Sequence, residues 1–263
     1  MLYSFNHIHL INTINVKKDT MSLNDKAAPE NLSVFLKYLV SMDKSQAEQL
    51  PALAELSGQL GISIASLREQ LEVGRALGLV EVRPRTGVRR LPYSFRQTLR
   101  QSLAYALAVE PENFQLFSDL RNHIETAYWE QAARKLLPED LIMLQNLIDR
   151  AEIKLHGHPI QIPHNEHREL HLTIYRQLGN PFVTGVLEAY WEMYEEVGLD
   201  VYTDYEYLER VWQYHQHIVD AICEGDFHKG YHLLVDHMHL LAERPERVPI
   251  SRPESLRNEN TKE

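Results

Sequence analysis

Cysteine is nearly absent from this sequence: Cys223 stands alone among 263 residues. A single thiol closes no internal disulfide, so a reducing, cytoplasmic setting is expected. Long apolar runs are missing too. No stretch approaches the roughly 20 residues that span a bilayer as a helix. The opening MLYSFNHIHLINTINV is too polar for the core of a signal peptide and lacks a basic start, so no membrane partner is expected. Positive charge is scarce: 27 Lys and Arg against 37 Asp and Glu leave a net charge of −10, which argues against a surface coated for nucleic acid. The chain also lacks a Gly-rich phosphate loop, a nucleophile elbow and an HExxH zincin motif.

What is present divides unevenly. The hydrophobic fraction of 44% and charged fraction of 24% are ordinary for a globular protein, and the length suits two modest domains. Residues 1–92 hold 11 Lys and Arg against 9 Asp and Glu; the remainder holds 16 against 28. A mildly basic unit is thus joined to a strongly acidic one. The expected layout is a flexible N-terminal extension over 1–30, a first unit over 31–92, and a linker and connecting helix over 93–112. A helical domain over 113–243 follows, and a Pro-rich, polar and disordered tail occupies 244–263.

In the first unit, NLSVFLKYLVSM places Leu32, Phe35, Leu36 and Leu39 on one helical stripe. LPALAELSGQLGIS reads as a short helix with Leu53, Leu56 and Leu60 inward. Ser63 is a suitable N-cap for IASLREQLEVGRALG, which keeps Leu67, Leu71 and Leu77 on its buried side. Two β-prone segments, LVEVR and VRRL, flank a turn at residues 84–87. Helices, a turn, a helix and a basic hairpin make the winged helix-turn-helix plan. A helix fits the major groove of B-DNA, and its N-terminal residues reach base edges. Arg68 and Arg75, seven apart, share an exposed face; Arg83, Arg85, Arg89 and Arg90 crowd the hairpin, within reach of phosphates or the minor groove. Such a unit also serves non-DNA interactions in other proteins, so the plan alone leaves that reading open.

Residues 50–90, LPALAELSGQLGISIASLREQLEVGRALGLVEVRPRTGVRR, resemble the GntR-family DNA-binding domain. Arg68 and Glu69 match the family's Arg-Glu pair, and Gly87 matches its wing glycine. The resemblance implies operator contacts from Ser63, Ile64, Arg68, Arg75, Arg83, Arg85 and Gly87. Ala54 and Ile64 depart from it, standing where relatives commonly carry operator-touching arginines. Ile64 and Ala65 offer thymine-methyl contact instead.

Beyond residue 111 the chain reads as about six helices, broken at Pro138, HGHPIQIP, Gly179-Asn180-Pro181, residues 198–204 and Gly225-Asp226. Histidines gather in HNEHRELH, HQH and HMH. His167 and His171, four apart, share a helical face and can grip one metal ion. His215 is read as starting a helix whose inner stripe continues through Ile218, Ala221 and Ile222. His237 follows Tyr231 and Leu234 at inward spacing. His7, His9, His156, His158, His228 and His232 read as surface or loop residues.

Residues 113–240 resemble the FCD domain that follows the DNA-binding unit in FadR-type GntR regulators, through LRNHIETA, HRELHLTIYRQLGNP and HQHIVDAICEGDFHKGYHLLVDHMH. The resemblance implies a mainly α protein, a winged helix-turn-helix followed by an all-α bundle. It makes His171, His215 and His237 metal ligands, with His167 in the place of the family's Asp. Four imidazoles favour Zn²⁺, Ni²⁺ or a similar divalent transition metal. Arg121 matches a family Arg that faces the pocket and is suited to a small carboxylate effector; its spacing equally suits an ion pair with Glu125. The implied protein is a ligand-responsive regulator, not an enzyme, binding double-stranded operator DNA as a homodimer. Two alternatives stand beside it. One is a metal-free regulator whose histidines hold the effector directly; the other, more distant, is a helical metal-dependent hydrolase. Helix geometry stands against the latter, since it points Glu166 and Glu169 away from the His167/His171 face.

Overall fold

The computed structural model describes residues 29–42, 49–83, 87–197 and 204–240. Arg85, His7, His9 and the segments read as extension and tail lie largely or wholly outside the described residues. The protein is mainly α. Among the described residues there are ten α-helices and one two-stranded sheet. The chain divides into two compact units: Met1–Arg75 with Val80–Arg90, and Ala76–Leu79 with Leu91–Glu263. No described helix is long and apolar enough to cross a membrane.

The first unit contains α1 (Val34–Ser41), α2 (Leu53–Leu60), α3 (Ile64–Ala76), β1 (Val80–Arg83) and β2 (Gly87–Arg90). Phe35, Leu39, Leu56, Leu67, Leu71, Val80 and Val88 are buried and form its core. The spacing of Leu67 and Leu71 at i, i+4 turns one face of α3 inward and leaves Arg68 and Glu69 in solvent. Ser63 Oγ accepts from the Ser66 amide at 3.1 Å, occupying a donor that the first turn of α3 cannot satisfy internally. The hairpin is antiparallel, with Val80 opposite Arg90 and Arg83 opposite Gly87. Gly87 has φ +85°, in the left-handed region that favours glycine.

The second unit holds α4 (Phe95–Val109), α5 (Asn113–Ala133), α6 (Pro138–Leu155), α7 (His164–Tyr175), α8 (Pro181–Glu196), α9 (Tyr205–Glu224) and α10 (Phe227–Leu240). The six helices from α5 onward enclose a core built on Trp129, Leu144, Ile148, Leu170, Ile174, Trp212 and Leu234. Residues 93–112, read from sequence as a linker and connecting helix, contain the 15-residue α4. That helix packs along α8, where Arg96 and Arg100 pair with Glu188, Glu192 and Glu196. Asn180 caps α8 through its side-chain oxygen, which accepts from Phe182 and Val183 amides, and Pro181 occupies the first turn without wasting a donor.

Two readings of the helices need correction. His215 does not start a helix but lies midway along α9, because the apolar stripe extends back through Tyr207, Val211 and Trp212. Tyr231 does not point inward; it is 38% exposed, while Leu234 and His237 carry the buried face of α10.

Candidate metal centre

Four histidines from three helices meet inside the second unit. His167 and His171 come from α7, His215 from α9 and His237 from α10. One ligand atom from each lies within 4.8 Å of all the others. The i, i+4 spacing on α7 stacks the first two on one face, with ring centroids 5.2 Å apart. The inner stripes of α9 and α10 deliver the others, and the His215 and His237 rings are 4.3 Å apart. His171 and His215 are completely buried, and His237 nearly so.

Burial drives the electrostatics. Desolvation, reinforced by the neighbouring imidazoles and Arg121, holds His167, His215 and His237 well below the usual histidine range. Desolvation also lowers His171, with Arg121 adding to it and Glu125 opposing. All four are therefore neutral at pH 7, the form that offers a lone pair to a metal. Within the cluster His171 Nε2 meets His215 Nε2 at 3.2 Å. His167 Nε2, His215 Nδ1 and His237 Nδ1 are buried with no hydrogen-bond partner among the described residues. Unpaired buried nitrogens are costly, and a shared cation would supply what His167 Nε2 and His237 Nδ1 lack, while His215 would offer its Nε2, so the donor set fits a divalent transition metal.

Behind His171 sits a buried ion pair from α5. Arg121 Nε lies 3.0 Å from Glu125 Oε1, while Arg121 Nη2 reaches His171 Nδ1 at 2.8 Å. Glu125 Oε2 lies 3.2 Å from the same Nδ1. Burial pushes the Glu125 carboxyl up, but Arg121 and His171 more than offset this and hold it below the ordinary value. The guanidinium carbon also stands 5.0 Å from the Tyr190 ring centroid and 5.7 Å from that of Trp191. Arg121 thus pairs with Glu125 and also lines the cavity beside His167 and His237. That cavity, of about 30 Å³, has aromatic walls from Tyr190, Trp191 and Tyr194. At roughly 10–15 Å³ per water it admits a group of carboxylate size.

Sequence reasoning passed over Glu125 as a member of the site. A signal was present: Arg121 and Glu125 continue the stripe of Phe114, Phe117 and Trp129, which is the buried face of α5. Glu166 points away from the cluster. It is fully buried between Arg150 at 2.6 Å and Lys154 at 2.7 Å, fastening α7 to α6. Glu169 is half-buried and faces Arg168. Neither carboxylate is placed as a general base at the histidines.

Residues 117–240 match the FCD domain family. The HTH-type transcriptional regulator YieP of Escherichia coli (strain K12), itself uncharacterised, is 29% identical over 224 residues, 78% of this chain and 92% of that protein. The chain carries an FCD domain over residues 117–240 and is similar over most of its length to an HTH-type transcriptional regulator. Its fold agrees with that of the Streptococcus agalactiae GntR structure. The TM-score is 0.59 at 16% identity, covering 80% of this chain and 95% of that one. The four histidines all fall within the residues that match the FCD family.

In the first unit the remaining candidates are spread over α3 and the hairpin. Ser63 caps α3, Ile64 is 41% exposed beside it, and Arg68 projects into solvent. Arg75 is tied to Glu72 at 2.7 Å and Arg83 to Glu81 at 2.9 Å, so each carries a local counter-charge. Arg90 turns back to the Met42 carbonyl at 3.2 Å and is half-buried, unlike the wing arginine read from sequence.

Proposed function

We propose that this chain is a GntR-family transcription regulator that binds operator DNA as a homodimer, and that its FCD domain holds a divalent transition metal, Zn²⁺ or Ni²⁺, at His167, His171, His215 and His237. The observation that carries the reading is the convergence of four ligand atoms within 4.8 Å, from neutral and mostly buried imidazoles. When bound, the metal supplies a Lewis-acidic position that an anionic oxygen can share. The small cavity, walled by Tyr190, Trp191 and Tyr194, and the Arg121 guanidinium suit a carboxylate effector. Effector binding then shifts operator affinity by a coupling of about 1–3 kcal/mol.

On DNA, Ile64 and Arg68 at the N-terminal end of α3 face base edges. Arg75 and Arg83 exchange Glu72 and Glu81 for phosphates, and the hairpin around Gly87, with Arg85, follows the groove. A two-fold dimer sets half-sites about one helical turn, roughly 34 Å, apart. The chain acts in the cytoplasm, where its single exposed thiol stays reduced. As a regulator it needs no general base at the histidines, and Glu166 is already committed to Arg150 and Lys154.

The test is selection of genomic fragments by the full-length protein, followed by anisotropy on the recovered site. A pseudo-palindrome should be enriched, and Arg68→Ala should weaken binding by about 1–3 kcal/mol. A chelator or a matching carboxylate should change the wild-type affinity. Recovery of no fragment above a scrambled control contradicts the reading.

A further inference from the structure

His171 is held at one nitrogen by two groups that make opposite demands on it. Arg121 Nη2 hydrogen-bonds Nδ1 at 2.8 Å, while Glu125 Oε2 stands 3.2 Å from the same nitrogen and has no hydrogen-bond partner among the described residues. All three side chains are buried. A guanidinium only donates and a carboxylate only accepts, and a neutral imidazole carries a single N–H. Nδ1 therefore serves Arg121 or Glu125, never both.

We propose that Arg121 and Glu125 select between two tautomers of His171 and so set how readily the four-histidine cluster takes up metal. The proposal rests on the metal reading of that cluster. With Arg121 donating into the Nδ1 lone pair, the ring proton sits on Nε2 and is given to His215 Nε2, 3.2 Å away. That contact satisfies His171 and His215 Nε2 only, with His167 Nε2 and His237 Nδ1 still unpaired among the described residues, and His171 offers no lone pair at the cluster's centre. With the proton on Nδ1 and donated to Glu125, the Nε2 lone pair faces the other histidines. One proton has moved from Nε2 to Nδ1, and the net charge is unchanged.

The surroundings leave both arrangements open. When Nδ1 turns to Glu125, Arg121 keeps Glu125 Oε1 at 3.0 Å, Asn122 Oδ1 at 3.1 Å and the faces of Tyr190 and Trp191. Metal-ligating histidines generally donate their second N–H to a carboxylate or carbonyl, and loss of that acceptor typically costs about 10–100-fold in metal affinity. Glu125 is then a positioning residue for the metal-ready form, and Arg121 restrains the metal-free form. Glu125 is a carboxylate in ion-pair distance of a histidine of the cluster, at 3.2 Å from His171 Nδ1.

The experiment uses full-length, metal-stripped protein with ¹⁵N-labelled histidine. Long-range ¹H–¹⁵N spectra report the His171 tautomer, and competition with a zinc indicator reports affinity. Wild type should carry Nε2–H without metal and Nδ1–H with Zn²⁺. Glu125→Gln should weaken zinc about 10–100-fold, and Arg121→Gln should populate Nδ1–H without metal and tighten zinc. Arg121→Gln/Glu125→Gln, which removes both buried charges, keeps the test usable if either single variant fails to fold; it should show a mixed tautomer. One tautomer common to wild type and every variant, or unchanged zinc affinity in Glu125→Gln, overturns the proposal. Wild type that takes no zinc defeats the metal reading instead, while the metal-free tautomers still judge the selection by Arg121 and Glu125.

Discussion

His171 Nε2 and His215 Nε2 lie 3.2 Å apart, on helices α7 and α9, with both side chains fully buried. Two nitrogens each about 2.0–2.1 Å from one tetrahedral zinc stand about 3.3 Å apart, so this pair is already at the separation a shared ion requires. An all-nitrogen set of this kind selects borderline metals over hard cations. Zn²⁺ or Ni²⁺ at 100 times its dissociation constant should therefore stabilise the metal-stripped protein by about 2.7 kcal/mol, read as a raised Tm. Mg²⁺ and Ca²⁺ at equal concentration should leave Tm unchanged. Equal stabilisation by all four ions would count against the site.

The same burial predicts a pH dependence. Folding lowers the pKa of all four histidines, so the unfolded chain binds more protons below about pH 6.5. Stability of the metal-free protein should rise with pH up to that point and be lost progressively as pH falls below it. The slope approaches about 1.4 kcal/mol per pH unit for each histidine that stays neutral in the fold. Glu125, lowered by folding, adds a loss in the same direction only in the carboxylate range. Urea unfolding at pH 5.5 and 7.5 checks this: the midpoint should fall at the lower pH, and His215→Gln should flatten the difference. Identical midpoints for wild type would refute it.

Packing near the start of α10 gives a third prediction. A Cβ on Gly230 would meet Trp129 Cζ2 at 2.5 Å, and the Trp129 ring is almost completely buried. Trp129 Nε1 also donates to the Phe227 carbonyl at 2.8 Å, so the ring is not free to retreat. Gly230→Ala gains about 1 kcal/mol of helix propensity but meets an overpacking cost of typically 1–3 kcal/mol. A net loss of roughly 1 kcal/mol in chemical denaturation is expected, together with weakened metal retention through displacement of His237. A stabilised variant would show that Trp129 has room to move.

The sequence made much of this legible because the decisive patterns are local. Leu67 and Leu71 mark the inner face of α3, and His167 and His171 share a face of α7 by spacing alone. His215 and His237 are different. Spacing turned both inward, but their meeting with α7 is a tertiary event that only the resemblance to a known domain supplied. The start of α9 was misplaced because residues 198–204 and the polar Tyr205-Glu206 mask an apolar stripe that begins at Tyr207. Glu125 was missed for a physical reason as well. At i, i+4 from Arg121 it looks like a solvated ion pair, and only the packing of α5 against α7 and α8 makes it a buried one.

The central claim is that the histidine cluster holds a metal ion, and the most direct test is the metal content of protein purified without a His tag. Elemental analysis should find close to one Zn²⁺ or Ni²⁺ per chain, lost in both His171→Ala and His215→Ala while each variant stays folded by circular dichroism. Wild-type protein that remains metal-free after equilibration with Zn²⁺ and Ni²⁺ would contradict the account and leave His167 as the mark of a cluster that no longer binds metal.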